Sequence, residues 1–287
     1  ASAVAQVMLE QGSPGAAAAV CAQVFAMAAD TPKAAFDAQG ELNAGRPDGT
    51  PALTRWRGPL LLVSGQDDPL CGDDKQALLR HARPDWGMLL EEGGAIEGNP
   101  SKPRWVVDPI DGTVAYMKNK PWWCVPIAVV EDGRPVAAVI HAPALGETFT
   151  ATLGGGAFLQ GRAITASDTS DLDDASLLAD ARLIEGPHWI EPWPAMRFEK
   201  RNAIAYRMAL VAAGAFDAAI NLSPKWDWDV CAGALIVEEA GGRVTDHHGH
   251  AWRFNQADPR QNSLVCSAPA LHPLIVRRTA PIPLAPR

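Results

Sequence analysis

The sequence predicts an α+β protein with mixed, partly antiparallel sheets. Strand-like and helix-like runs alternate without a regular βαβ beat, which disfavours one doubly wound parallel sheet. Two tight turns, Glu131-Asp132-Gly133-Arg134 and Gly154-Gly155-Gly156, each join apolar runs as hairpins do. The composition, 47% hydrophobic and 20% charged, is that of a folded globular chain and not of a disordered or coiled-coil one. At 287 residues the chain is long enough for about two subdomains and a core that needs no staples.

Val20, Val24 and Met27 stand at helical spacing and predict a helix over 16–30, followed by a Gly/Pro/Asn-rich loop over 40–51. The apolar run over 60–64 reads as a strand, and 73–81 as a helix. A buried strand over 87–90 runs into Glu91 and Glu92, and Trp105-Val106-Val107 ends at Asp108. Strands over 125–130 and 136–141 flank the first hairpin turn, with Gly133 where a positive φ is needed, and strands over 148–152 and 157–159 flank the second. A phosphate-cradling role for that second turn is disfavoured, because no Gly-Lys-Ser/Thr follows it. After the polar stretch 167–174 come a strand over 176–179, a helix over 203–213 closed by Gly214, a strand over 216–220 and a helix over 229–240 stopped by Gly241-Gly242. An N-terminal α+β subdomain, 1–166, is thereby separated from a C-terminal α/β subdomain, 167–279, with 280–287 as a Pro-rich tail.

Charge narrows the partners. The 25 Lys plus Arg against 33 Asp plus Glu leave a formal −8, which disfavours a nucleic-acid polymer or an anionic membrane, while a small anion can still bind where a cation is added to its site. Cys21, Cys71, Cys124, Cys231 and Cys266 are odd in number and widely spaced, which predicts free thiols in a reducing compartment. With no basic leader and no span-length apolar stretch, the expected location is cytoplasmic.

The chemistry lies in three acidic clusters at the ends of apolar elements: Glu91-Glu92, Asp108-Pro109-Ile110-Asp111-Gly112-Thr113, and Asp227-Trp228-Asp229. Each alone is an ordinary turn or helix cap. Pro109 stiffens the second cluster and Gly112 bends it, so that Asp108 and Asp111 can face one volume. If Glu91, Asp108, Asp111 and Asp229 converge, each like-charge pair at about 5 Å costs roughly 3 kcal/mol at an effective dielectric near 20, and a cation must relieve it. An all-oxygen ligand set selects a hard ion, magnesium with manganese as substitute. Such ions bind phosphate, activate water and steady the entering and leaving oxygens. A helix starting after Asp111 would offer the Gly112 and Thr113 amides to phosphate oxygens.

These motifs stand in an order that resembles the inositol monophosphatase family of metal-dependent sugar and nucleotide phosphatases: Glu91-Glu92, then Val107 through Thr113, then Trp228-Asp229-Val230-Cys231-Ala232-Gly233 leading to Glu239-Ala240-Gly241-Gly242. The resemblance spans residues 73–268. It implies a layered α/β/α/β/α sandwich, often homodimeric and lithium-sensitive, with two or three Mg2+ ions held by Glu91, Asp108, the carbonyl of Ile110, Asp111 and Asp229, and with Asp73 or Asp74 as a further ligand. It also implies in-line attack on phosphorus by a metal-activated water that Glu91 and Thr113 orient.

The implied activity is hydrolysis of a small phosphorylated polyol or nucleotide. Asn202, Asn221 and Lys225 are the candidate substrate-binding residues; Asn202 and Asn221 stand where inositol-specific relatives carry other residues, and Asp227 is more similar to the branch acting on adenosine bisphosphates. Lys225, Arg207 and Arg182 either meet a second phosphate or are solvated surface charge. Two alternatives are a catalytically silent ion- or anion-binding module and a fructose 1,6-bisphosphatase-like enzyme. The ten Trp residues and Cys231 read as packing, and His247, His248 and His250 as an exposed turn.

Overall fold

The computed structural model describes Leu79 and residues 83–91, 94–186 and 189–284. The expected helix over 16–30, the loop over 40–51, the strand over 60–64, and Asp73, Asp74 and Glu92 lie outside the described residues. Along the chain follow β1 (Gly87–Leu90), β2 (Gly94–Ile96), β3 (Arg104–Val107), α1 (Thr113–Met117), β4 (Val125–Glu131), β5 (Arg134–Ala142), β6 (Glu147–Thr152), β7 (Gly156–Leu159) and β8 (Arg162–Ile164). Then come β9 (Ser176–Leu178), α2 (Ala181–Ile184), β10 (Arg197–Glu199), α3 (Ile204–Ala212), β11 (Ala218–Asn221), β12 (Lys225–Trp226), α4 (Asp227–Glu239), β13 (Arg243–Thr245), β14 (Arg260–Gln261), β15 (Leu264–Ser267) and α5 (His272–Thr279).

Strands β2-β1-β3-β4-β5-β6-β7-β8 form one sheet and β10-β9-β11-β15-β13 another, with β12 and β14 as a separate ribbon. Both sheets are mixed: β1 and β3 run parallel, as do β9 with β10 and with β11, and the remaining neighbours are antiparallel. The first hairpin is a two-residue turn, with Asp132 and Gly133 both at positive φ as the right-handed twist of the flanking strands demands. At the second, the Gly154 and Gly156 amides each donate to the Glu239 carboxylate at 2.8 Å, so a side chain at the end of α4 fills the place a phosphate would take.

The burial pattern dictates the layers. β5 is buried at every position after Arg134, because both faces of its sheet are covered. One face, through Val106, Ala138, Ile140 and Phe149, packs on α3 and α4, which in turn carry Leu178, Ala219 and Cys266 of the second sheet. α4 is apolar around most of its circumference, as a helix held between two sheets must be. Where α3 and α4 touch, a Cβ on Gly233 would lie 2.8 Å from Met208, so glycine permits the close approach. The far face of the first sheet packs Met88, Trp105 and Val129 with the helical Leu79, and the far face of the second packs Leu177, Ile220 and Val265 with Leu271 and Ile275. The result is the layered α+β sandwich that the sequence predicts. No helix among the described residues is long and apolar enough to cross a membrane.

One buried carboxylate fastens the second sheet to the segment before it. Asp217 accepts from the hydroxyls of Ser167, Thr169 and Ser176 and from the Ser176 amide, at 2.6–2.7 Å. Burial alone would raise its pKa, yet these donors hold it below the ordinary carboxylate value. Its stabilisation is therefore present above the unfolded pKa and lost as pH falls through the folded one. Asp217→Ala is expected to lower unfolding free energy by about 2 kcal/mol at pH 7, read by urea denaturation, with the difference shrinking in acid. His247 departs from the expected exposed turn: it is buried, and its amide and Nδ1 both meet Ser263 Oγ, while His248 and His250 stay exposed.

Candidate active site

Register brings the first two carboxylates together. Leu90 of β1 pairs with Val107 of β3 in parallel, so Glu91 and Asp108 leave adjacent strand ends side by side. The Glu91 amide donates to the Val107 carbonyl, and the Glu91 carboxyl is near enough to raise Asp108. Asp108 then closes a short turn by accepting from the Ile110 amide at 2.8 Å. Asp111 is held by reciprocal backbone bonds with Cys124, at 2.9 and 3.0 Å. Gly112 has φ 93, and a Cβ there would stand 2.9 Å from the Ala203 Cβ, so only glycine lets the turn press against the start of α3.

That contact decides where Asp111 points. Its two carboxylate oxygens accept from the Ile204 and Ala205 amides, at 3.1 and 2.6 Å, in the first turn of α3, and the Cys124 thiol approaches Oδ2 at 3.6 Å. A helix start is favourable for a carboxylate, since its first amides lack intrahelical acceptors and carry the positive end of the dipole. Asp229 lies in the first turn of α4 and accepts from the Trp226 amide at 3.0 Å.

The four carboxyl groups share one electrostatic neighbourhood. Burial pushes Asp108 well above the ordinary value, and Asp111, Glu91 and Asp229 push it further. Burial and Asp229 raise Asp111 to about 7, against the Ala205 and Ile204 amides and the Arg207 charge. Burial raises Asp229 to about 6, with Glu91 adding to it and the Trp226 amide and Lys225 opposing. Among the described residues no three His, Cys, Asp or Glu side chains form a ready-made metal cage. Asp111 and Asp229 instead turn oxygens onto backbone amides. The donors are nonetheless oxygen throughout, with Asp108, Asp111 and Asp229 raised by burial first and by neighbouring carboxylates second, a chemistry that suits a hard divalent ion and not zinc.

The remaining predicted residues divide. Thr113 is exposed and its hydroxyl donates to the Ile110 carbonyl at 3.2 Å, beside the turn as expected. Among the described residues the Gly112 and Thr113 amides donate to no protein group. Lys225 is near enough to lower Asp229. Asn202 is exposed, whereas Asn221 is occupied by the amide and hydroxyl of Ser223, both at 2.7 Å. Arg182 is exposed and paired with Asp180, the surface alternative. Arg207 is not surface charge: it is only 8% exposed, its Nε donates to the Arg201 carbonyl, and its charge acts on Asp111. Asp227 is buried and bound to the Asn255 amide and Gln261 Nε2, at 2.7 and 2.9 Å, so it serves packing. Sequence reasoning missed the Ile204 and Ala205 amides as partners of Asp111. The helix start was legible and its partner was not.

Fold and site together define a class: a layered α+β protein with an acidic, oxygen-only centre at the strand ends of its first sheet. The chain belongs to the inositol monophosphatase family, whose sequence profile matches residues 73–283. It is 37% identical over 220 residues to the Nus factor SuhB of Xylella fastidiosa, covering 69% of this chain and 76% of that one. It is also 37% identical over 203 residues to the inositol-1-monophosphatase of Mesorhizobium japonicum, covering 67% and 75%. Among solved structures, the extragenic suppressor protein suhB of Bartonella henselae superposes with a TM-score of 0.61 at 32% identity, over 71% of this chain and 82% of that one.

Proposed function

We propose that this chain is a magnesium-dependent phosphomonoesterase acting on a small phosphorylated polyol or nucleotide. The observation that carries the reading is the burial of Asp108, Asp111 and Asp229 close to one another and to Glu91, where burial first and repulsion second disfavour their charged forms, a cost that a hard divalent ion relieves. Glu91, Asp108, Asp111, Asp229 and the Ile110 carbonyl would hold two or three Mg2+ ions, with Mn2+ as substitute. Bound ions supply Lewis acidity toward phosphate oxygens and a nucleophile competent near neutral pH. Glu91, with its carboxyl at the rim, and Thr113, with its hydroxyl beside Ile110, orient the attacking water. The Gly112 and Thr113 amides take phosphate oxygens. Arg207 is a buried cation whose charge acts on Asp111, and the family and the Mesorhizobium relative's name favour a polyol phosphate.

Phosphate release from inositol 1-phosphate, adenosine 3',5'-bisphosphate, histidinol phosphate and fructose 1,6-bisphosphate, with magnesium and after chelation, tests the reading. Turnover of at least one ester that vanishes on chelation is expected, and turnover indifferent to chelation contradicts it. A second reading, an ion- or anion-binding module without catalysis, draws on the name of the Xylella relative and on the lack of a ready-made cage among the described residues. Magnesium binding by calorimetry with no turnover across the panel supports that second reading.

A further inference from the structure

Helix α3 holds Asp111, yet nothing local caps α3. Ala203 stands at its N-cap with no polar side chain to offer, and its first turn carries no acidic residue. The Ile204 and Ala205 amides are satisfied instead by Asp111, from the turn after β3, so the aim of that carboxylate follows the position of the helix start. The next residue fixes that position. Tyr206 is 2% exposed, its ring meets Phe149 edge to face at 6.3 Å between centroids, and its hydroxyl donates to Glu147 Oε2 at 2.7 Å. Glu147 and Phe149 stand two apart on β6 and share one face of that strand. Among the described residues this is the one hydrogen bond that an α3 side chain makes to the first sheet; Arg207 bonds only to the Arg201 carbonyl, in the segment leading into the helix. Burial first, and the bond to Glu147 second, raise the Tyr206 phenol above its ordinary value, so the hydroxyl remains a donor.

We propose that Tyr206 and Glu147 are a positioning pair that sets the start of α3 against β6 and thereby the aim of Asp111. Apolar packing is non-directional and tolerates a sliding helix, whereas a short, charge-assisted hydrogen bond from a buried hydroxyl fixes both distance and angle. A phenylalanine would fill the same core space, so the hydroxyl and its acceptor are not needed for packing. Support of this kind from outside a ligand set orients the ligands themselves. The consequence for turnover rests on the reading of the centre as a phosphatase site; the consequence for the helix start does not.

Tyr206→Phe keeps the ring on Phe149 and leaves the half-buried Glu147 able to reach water, so the fold is retained. In the metal-free protein, amide hydrogen exchange read by NMR is expected to quicken at least about tenfold at Ile204 and Ala205 and to stay unchanged at Leu210 and Val211, a pattern that general loosening of the helix does not give. Calorimetric titration with Mn2+ is expected to give a dissociation constant raised at least about fivefold, and phosphate release a kcat lowered by a similar factor with KM within about twofold. Glu147→Ala should match Tyr206→Phe, and the double variant should add nothing further. Glu147→Gln keeps an acceptor and should stay within about twofold of the parent. Unchanged exchange at Ile204 and Ala205, exchange quickened uniformly along α3, or Glu147→Gln no better than Glu147→Ala overturns the proposal. A parent that binds no Mn2+ contradicts the phosphatase reading, and the exchange experiment still decides the pairing.

Discussion

Asp111→Asn is expected to lower kcat/KM for the best phosphate ester at least about 1,000-fold, roughly 4 kcal/mol of transition-state stabilisation, while the protein stays folded. The side chain keeps its shape but loses the charge that would hold the ion. Both Asp111 oxygens accept from amides, so the asparagine must aim its NH2 at Ile204 or Ala205. That donor-to-donor contact costs about 1–2 kcal/mol. Loss of a buried charge raised to about 7 offsets it, which keeps the effect on the melting temperature small. Phosphate release and a thermal melt on the same preparation separate the two effects. Turnover within tenfold of the parent would sink the catalytic account.

The second large effect concerns stability without metal. Asp229 titrates near 6 in the folded protein against an ordinary value of 3.8, because burial, and then Glu91, disfavour its charge. The folded state therefore holds this proton more tightly than the unfolded one. The favourable contribution is complete below about pH 4 and is lost as pH rises through 6. From the shift, and allowing for partial exposure, the loss is about 2–3 kcal/mol by pH 7.5. Asp229→Asn keeps an acceptor for the Trp226 amide and is expected to be more stable than the parent by about that amount in chelator at pH 7.5. The difference should close by pH 4. Added magnesium should stabilise the parent more than the variant, which keeps Glu91, Asp108 and Asp111 as ligands. Chemical denaturation across pH measures all three, and a variant less stable than the parent at pH 7.5 in chelator is the contrary result.

Much of the fold was legible because its signals are local. Asp132-Gly133 demands a hairpin turn, and Gly214 and Gly241 end α3 and α4 at positive φ where the sequence places their ends. α4 begins two residues before the expected start, at Asp227. Its apolar run opens only at Val230, and the cap between Asp229 and the Trp226 amide is invisible to periodicity. The acidic positions were legible as residue types, and Glu91 beside Asp108 is a matter of register. Parallel pairing of β1 with β3, with β2 between them in the sequence but on the other side of β1 in the sheet, is not written in either strand. Arg207 reads from sequence as either a contact for a second phosphate or surface charge; only the packing of α3 between two sheets makes it a buried neighbour of Asp111. His247 was misread for the same reason, since its partner Ser263 arrives from sixteen residues away.

Glu91 just after β1, Asp108 and Asp111 in the turn after β3, and Asp229 in the first turn of α4 are proposed to form one pocket for a hard divalent ion. The most direct test is an anomalous difference map from a crystal soaked in Mn2+. A peak bounded by the carboxylates of Glu91, Asp108, Asp111 and Asp229 is expected. A saturated crystal with no peak there, or with manganese bound only elsewhere, contradicts it.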